Sequence, residues 1–456
     1  MTDRAAQDED PALDARRVSA ILEAVEARDA PRAQSLVGPL HPADAADLLE
    51  QISPSERRDL LALLPGLVDG DILSELDEAL REEVIANLAP AQLAEAMREL
   101  DSDDVVDILE DLDAPQQAAI LGTLDLADRA AVEKSMSYPE HSAGRLMQRE
   151  VVMAPEHWSV GEATDYLREV AHLPDQFYHV LLVDPRMRPT GYATLGRILS
   201  SPRDTRLRDI LEDSFRTIPA TTPEEDVAYL FTQYHLISCP VVDETGRLVG
   251  VITIDDAMEV LDDEHEEDML RLAGVGEASS MSDGALATMR TRLPWLIVNL
   301  FTASISAFVI SRFEGTITAI VSLAAVMPIV ASTGGIGGTQ SLAVAVRALA
   351  TRDLTAANAG RVVRRELVSG LVNGLSLAVI LGIGGTLVYG QWKLGLVLGM
   401  AMIVNQIVAA LGGVLVPLGL ERWGLDPALA SGTFVTTLTD VMGYLSFLGL
   451  ATVLLL

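Results

Sequence analysis

Cysteine, basic side chains and late histidines are what this sequence has least of. A single cysteine, Cys239, in 456 residues excludes a disulfide scaffold and a cysteine-rich metal site, and fits a reducing cytoplasm. Lys and Arg number 33 against 66 Asp and Glu, a net charge of −33. A nucleic-acid binder relying on phosphate contacts needs a basic surface, so that class is excluded. All seven histidines (His41, His141, His157, His172, His179, His235 and His265) lie in the first 265 residues. The remainder has no imidazole base, and no nucleophile motif stands out, so a membrane-embedded enzyme is disfavoured. No secretory signal is expected, because the opening MTDRAAQDEDP is polar and acidic.

What is present divides in two. A mean hydropathy of +0.28 and 49% hydrophobic residues suit the net charge only if charge and apolarity are segregated. Residues 1–293 hold 25 basic and 60 acidic groups, and residues 294–456 hold 8 and 6. A membrane helix needs about 20 mostly apolar residues. Five such spans are read at Pro294–Ser311, Thr316–Thr333, Leu367–Trp392, Leu394–Leu420 and Pro427–Leu456. Arg290 and Arg292 precede the first, five arginines from Arg347 to Arg365 separate the second and third, and Arg422 separates the last two. The positive-inside bias then puts the acidic half in the cytoplasm and the C-terminus outside. Five spans are few to enclose a pathway, which predicts a homodimer of ten.

The aqueous half contains two modules. From Ala12 to about Ser135 the pattern is all-helical, with breaks at Pro42, Pro54, Asp77, Pro90, Ser102 and Pro115. Ser53-Pro54-Ser55-Glu56 is a capping box with proline at the first helical position. Short helices carrying pairs such as Leu48/Leu49 and Ile108/Leu109 bury their faces by stacking as a superhelix. Residues 142–261 then show two copies of a strand and helix order. Val180-Leu181-Leu182-Val183 leads one, and Pro240-Val241-Val242 with the turn Asp243-Glu244-Thr245-Gly246 leads the other. This layout resembles tandem CBS domains. The second copy ends Gly250-Val251-Ile252-Thr253-Ile254-Asp255-Asp256, which resembles a ribose-binding turn, so Thr253 and Asp256 are candidate nucleotide contacts, with a structural turn as the competing reading.

Nine carboxylates occupy the fourteen residues 255–268. On a helix, Asp256, Glu259 and Asp263 share a face and repel unless neutralised. Such hard oxygen ligands suit Mg²⁺ or Ca²⁺, and with only His265 nearby zinc is disfavoured. The run continues through an amphipathic stretch into the first span, which makes it a candidate gate; a solvated acidic linker is the bland alternative. Inside the membrane, Asp440 stands mid-span, where a carboxylate is functional by default. Thr436 and Thr437 share its helix face, and Asn405 and Gln406 are weaker candidates. Gly334-Gly335-Ile336-Gly337-Gly338-Thr339-Gln340 is expected to interrupt the second span and free backbone carbonyls, with close helix contact as the alternative.

The whole order resembles the MgtE family of magnesium channels. The carrying stretches are His41-Pro42-Ala43-Asp44-Ala45-Ala46-Asp47-Leu48-Leu49, Glu266-Glu267-Asp268-Met269-Leu270, Arg292-Leu293-Pro294-Trp295-Leu296, the glycine segment, and Asp426-Pro427-Ala428 through to Thr439-Asp440. The resemblance implies a multi-domain membrane protein. It comprises a disordered tail (1–11), an all-α N-terminal superhelical domain (12–138), α/β tandem CBS domains (139–203 and 204–262), an amphipathic connecting or plug helix (263–293) and a five-helix α transmembrane domain (294–456). It further implies a homodimeric Mg²⁺ channel of the cell (inner) membrane, closed by intracellular Mg²⁺, with ATP as a candidate ligand of the CBS domains. Asp440 and Asp426 are the implied pore metal ligands. Thr436, Thr437, Asn405, Gly334, Gly335 and Gly337 are weaker pore-lining candidates. Asp256, Glu259, Glu264, Glu267 and Asp268 are the implied regulatory metal ligands. Ile336 stands where the family usually carries asparagine, so no ligand role is expected there. A gradient-coupled divalent (Mg²⁺/Co²⁺) carrier and a non-conducting Mg²⁺ sensor stay open as alternatives.

Overall fold

The computed structural model describes residues 13–88, 90–110, 112–170, 173–174, 177–212, 214–275, 285–428 and 431–456. The expected disordered tail (1–11) therefore lies outside the described residues. The chain divides into two compact units, 1–261 and 262–456.

The first unit opens with short helices: α1 (Ala15–Glu26), α2 (Ala30–Val37), α3 (Pro42–Gln51), α4 (Pro54–Leu63), α5 (Gly70–Ser74), α6 (Glu78–Asn87), α7 (Pro90–Glu99), α8 (Ser102–Glu110), α9 (Ala114–Leu121) and α10 (Leu126–Ser135). Their starts follow the capping signals. Ser53 and Glu56 form the expected reciprocal box on α4, and Asp113 with Gln116 repeats it on α9. Each helix is too short to be stable alone, so the stack is held by one apolar core that includes Leu48, Leu49, Leu60, Leu73, Ile108 and Leu109, all fully buried. A buried arginine recurs at a 24-residue interval. Arg57 donates to the Leu49 carbonyl (2.8 Å) and pairs with Glu83 (2.9 Å). Arg81 donates to the Leu76 carbonyl (3.1 Å) and pairs with Asp107 (2.5 Å). Each closes a helix-to-helix step with a charge-assisted bond.

Two copies of one α/β motif follow. The first holds α12 (Val160–Glu169) and α13 (Leu195–Ser200) around strands β1 (Met153–Pro155), β2 (His179–Val183) and β3 (Pro189–Thr194); α11 (Ala143–Leu146), which precedes them, packs into the core of the second copy. The second holds α14 (Glu224–Tyr234) with β4 (Ile218–Pro219), β5 (Ser238–Val242) and β6 (Leu248–Thr253). In each sheet the first strand runs parallel to the middle one, and the last two form an antiparallel hairpin. Register repeats as well. His179 opposes Thr194 as Ser238 opposes Thr253, and both hairpins slip at the same place, Leu182/Val183 and Val241/Val242. Asp184 and Asp243 fold the two turns by accepting backbone N–H bonds from Arg188 and Arg247, each at 2.9 Å. The turn needs a left-handed residue, which is Gly246 (φ +76°) in one copy and Met187 (φ +60°) in the other.

From β6 the chain enters α15 (Ile254–Leu272), which begins in the first unit and ends in the second. Gly274, left-handed at φ +72°, follows its end as helix-terminating glycines do. Of the expected connecting segment 263–293, residues 276–284 lie outside the described residues, and the rest belong to α15, the turn 273–275 and α16.

Among the described residues, five helices of the second unit are long and apolar enough to cross a membrane: α16 (Ala285–Ser311), α18 (Ser322–Ala350), α19 (Ala359–Tyr389), α20 (Trp392–Arg422) and α21 (Ser431–Leu455). A short helix, α17 (Glu314–Ala319), precedes α18. Two expectations about the second span are corrected here. It starts at Ser322, not Thr316, and it continues as one helix through Gly334–Gly338 to Ala350, so the glycines do not interrupt it. Their propensity cost is offset by packing. α20 lies against α18, with its side chains where β-carbons of Gly334 and Gly337 would stand, and α21 packs on Gly338.

Candidate functional site

Two sets of polar side chains stand out, one in each unit. In the first unit, the N-terminal turn of α8 presents Asp103 and Asp104 to the start of α15. Asp103 is only 8% exposed, and burial, followed by the charges of Asp256 and Asp104, pushes its carboxyl well above the usual range. Asp104 is pushed up to about 7, by burial first and then by Asp256, Asp101, Asp107 and Glu259. Asp256 is pushed up to about 6 by burial, against the lowering effect of its bond from Thr253. Like charges in a partly desolvated site disfavour ionisation in this way. The cluster is fastened to the motif beside it. The Ser102 hydroxyl donates to Glu150 (2.9 Å) and accepts from the Arg149 backbone N–H (2.9 Å).

Asp256 and Glu259 were legible as candidates; Asp101, Asp103 and Asp104 were missed. The signal was there in the run Asp101-Ser102-Asp103-Asp104, which reads as an ordinary acidic helix start until folding brings α15 beside it. Among the described residues, no three His, Cys, Asp or Glu side chains converge closely enough to ligate a metal directly. Carboxylates that raise one another's affinity for protons do fit a strongly hydrated dication reached through water.

Thr253 was a candidate nucleotide contact. Its backbone N–H (3.2 Å) and its hydroxyl both bond to the Asp256 carboxylate, a turn that caps the start of α15. Between the two sheets, Tyr178, His179, Ser238, Val251 and Thr253 line a cleft of about 30 Å³, room for about one water molecule. The His179 imidazole and the Ser238 hydroxyl meet across it at 2.6 Å.

In the second unit, Asp440 is half-buried midway along α21. One turn back, the Thr436 and Thr437 hydroxyls donate to the carbonyls of Gly432 (2.8 Å) and Thr433 (2.7 Å). Those bonds use the hydroxyl protons and leave oxygen lone pairs as acceptors on Asp440's side of the helix. Gly335 lies against Thr436, and Gly338 against Val435 and Thr439. Asn405, fully buried, donates to the Val330 carbonyl (2.8 Å), and Gln406 to that of Thr333 (3.1 Å). Both amides clamp α18 to α20, and the glycines make the room. Gly334 and Gly337 are thus enclosed by packing. Ile336, on the opposite side of α18, is 57% exposed.

The remaining candidates gather near the end of α15. Glu264, Glu267 and Asp268 are half-buried along one side of that helix. Arg271 pairs with both Glu267 and Asp426, and the other Asp426 oxygen accepts the Ala428 backbone N–H (2.7 Å).

Comparison with known proteins settles the family. A family profile described as a divalent cation transporter (MgtE) matches residues 327–450, that of the MgtE intracellular N domain matches 40–141, and that of the CBS domain matches 207–263. The magnesium transporter MgtE of Enterococcus faecalis is 35% identical over 320 residues, 69% of this chain and 70% of its own length. The chain belongs to the MgtE family of magnesium transporters. The Thermus thermophilus MgtE is likewise 35% identical, over 70% of this chain and 71% of its own. Among solved structures, the cytosolic domain of the Mg²⁺ channel MgtE in complex with ATP is 31% identical. It aligns with a TM-score of 0.50 over 53% of this chain and 99% of that one. Helical N-terminal domain, CBS strands and apolar C-terminal helices thus recur together in one transporter family.

Proposed function

We propose that this MgtE relative is a Mg²⁺-selective channel that mediates uptake across the inner (plasma) membrane as a homodimer. We further propose that intracellular Mg²⁺, bound among its cytosolic carboxylates, closes it. The observation that carries conduction is Asp440, a carboxylate at mid-span on a helix packed along the glycine-lined side of α18. A carboxylate at that depth is expensive against lipid and tolerable against water or protein. Mg²⁺ dehydrates reluctantly, so Asp440 and the acceptor lone pairs of Thr436 and Thr437 would hold it through its water shell. In a twofold dimer two such aspartates would face one path, with a cation between them.

The gate is assigned to Asp101, Asp103, Asp104, Asp256 and Glu259. Ionised, they repel one another and push α8 and α15 apart; with a dication shared among them, the two helices are drawn together. Closure then requires tighter binding to the closed state, since equal affinity shifts nothing. The arginine distribution supports a cytoplasmic first unit and an external C-terminus. A nucleotide at the cleft beside Thr253 is a second reading, favoured by the ATP held in the similar cytosolic domain, and it needs the cleft to widen.

Flux into proteoliposomes tests these assignments. The native chain should carry Mg²⁺ inward, and Asp440→Ala should lose at least an order of magnitude of that flux. Replacing Asp103, Asp104 and Asp256 by Asn and Glu259 by Gln should leave flux active at high internal Mg²⁺. Unchanged inhibition in that variant rejects the gate. Absence of uptake by the native chain rejects conduction and leaves the sensor reading. Flux that vanishes when driving gradients are collapsed selects the coupled carrier.

A further inference from the structure

α19 is the least enclosed of the five spans, and its two sides differ. One side packs on α20. A β-carbon on Gly370 would stand 2.7 Å from that of Ala410, and one on Gly374 would stand 3.0 Å from the Ile403 α-carbon. The opposite side opens with Arg361, Arg364 and Arg365, all exposed. Steps of three and four residues carry the same face down to Val368, Val372 and Leu375, which are exposed as well. The acidic neighbour turns inward. Glu366, its side chain 15% exposed, accepts from the Ser341 hydroxyl of α18 at 3.3 Å. Arg365 reaches it at 3.3 Å, whereas no carboxylate among the described residues pairs with Arg361 or Arg364.

Helix stability does not account for these arginines. Cations in the first two turns oppose the macrodipole, and no acidic residue stands in the first turn to offset them. Their guanidinium groups stay charged at every relevant pH and present forks that match phosphate oxygens. At 1.5 Å per residue, Leu375 lies about 15 Å below Arg365 along the helix. That is half of a hydrocarbon core about 30 Å thick. The arginines therefore stand at headgroup level, and the apolar stripe runs the depth of one leaflet. A second copy of the chain fits this face poorly, because a twofold contact here would set like charges against each other. We propose that this face of α19 binds an anionic glycerophospholipid, with its phosphate on Arg361, Arg364 and Arg365 and an acyl chain along Val368, Val372 and Leu375. A headgroup that carries its own cation, as in phosphatidylcholine, is repelled by the same arginines, whereas phosphatidylglycerol is not. The inference goes beyond the channel reading and does not depend on it, since neither conduction nor Mg²⁺ enters it.

The test uses the full chain, purified in neutral detergent and stripped of its own lipid, with bound lipids counted by native mass spectrometry. At equal low concentration, phosphatidylglycerol should be retained several-fold more than phosphatidylcholine with the same acyl chains. Arg361→Gln with Arg364→Gln should bring retention down to the phosphatidylcholine level, and lysine at both positions should keep most of it. Arg312→Gln, at an exposed arginine before α17, should change nothing. Val372→Asn with Leu375→Asn should weaken retention, as an acyl-chain contact requires. Inorganic phosphate in large excess should not displace the lipid. Salt supplies an arm that needs no variant: the preference should fall as ionic strength rises. Equal retention of the two lipids overturns the proposal, as does a preference that survives the double glutamine variant or is indifferent to salt. Displacement by inorganic phosphate makes this a site for a free anion and overturns it too. A glutamine variant that alters the oligomeric state while retaining lipid assigns the face to a second copy, against the proposal.

Discussion

Asp104 is where burial and charge act most visibly on a single group. Its carboxyl holds a proton up to about pH 7 in the folded chain, against an ordinary value of 3.8. The folded state therefore binds more protons than the unfolded state between those limits. Without metal, the contribution of Asp104 to stability is greatest below about pH 4 and declines as pH rises through 7; Asp256, raised to about 6, has the same sign. For one such group the loss is on the order of 1–3 kcal/mol once partial solvation is allowed for. A dication offsets it only where the carboxylates are ionised. Mg²⁺ should accordingly raise the melting temperature of the solubilised chain more near pH 8 than near pH 5. Asp104→Asn should flatten the difference. Equal Mg²⁺ effects at both pH values would count against the cluster as the binding site.

At the scale of elements, the glycines of α18 make a sharp contrast. A β-carbon on Gly334 would stand 2.0 Å from the Asn405 amide nitrogen, whereas one on Gly335 would make an ordinary 3.9 Å contact with Thr436. Gly334→Ala must expel the amide from the Val330 carbonyl, which combines overpacking with a lost buried hydrogen bond at about 2–4 kcal/mol. Gly335→Ala should be nearly neutral, and thermal melting with flux distinguishes the two. The helix starts of the first unit were legible, because Pro42, Pro54 and the Ser53/Glu56 box act within one turn. The continuity of α18 was not. Glycine is a poor helix former in isolation, and the side chains that hold this run helical arrive from α20 and α21, about 70 to 100 positions later.

For the whole molecule, orientation is the property on which transport direction depends. With the first unit inside, a cysteine introduced at exposed Leu199 (78% exposed) should resist an impermeant thiol reagent in intact cells, and one placed after Leu456 should react. Background labelling should be low, since Cys239 is buried and its thiol pushed up to about 12. Labelling of the Leu199 site alone would invert the topology and remove the uptake reading.

The sequence by itself determined the division into an acidic half and an apolar half, the five spans, the doubled α/β motif and the mid-span Asp440. These are recorded in local periodicity, in the spacing of charges and in composition over a single helix length. Only the tertiary structure decided which charges meet. It set Asp103 and Asp104 against Asp256, across about 150 residues, and gave Asp426 to Arg271, across 155. Electrostatic coupling depends on distance and burial in space, and neither is written in the order of residues along the chain.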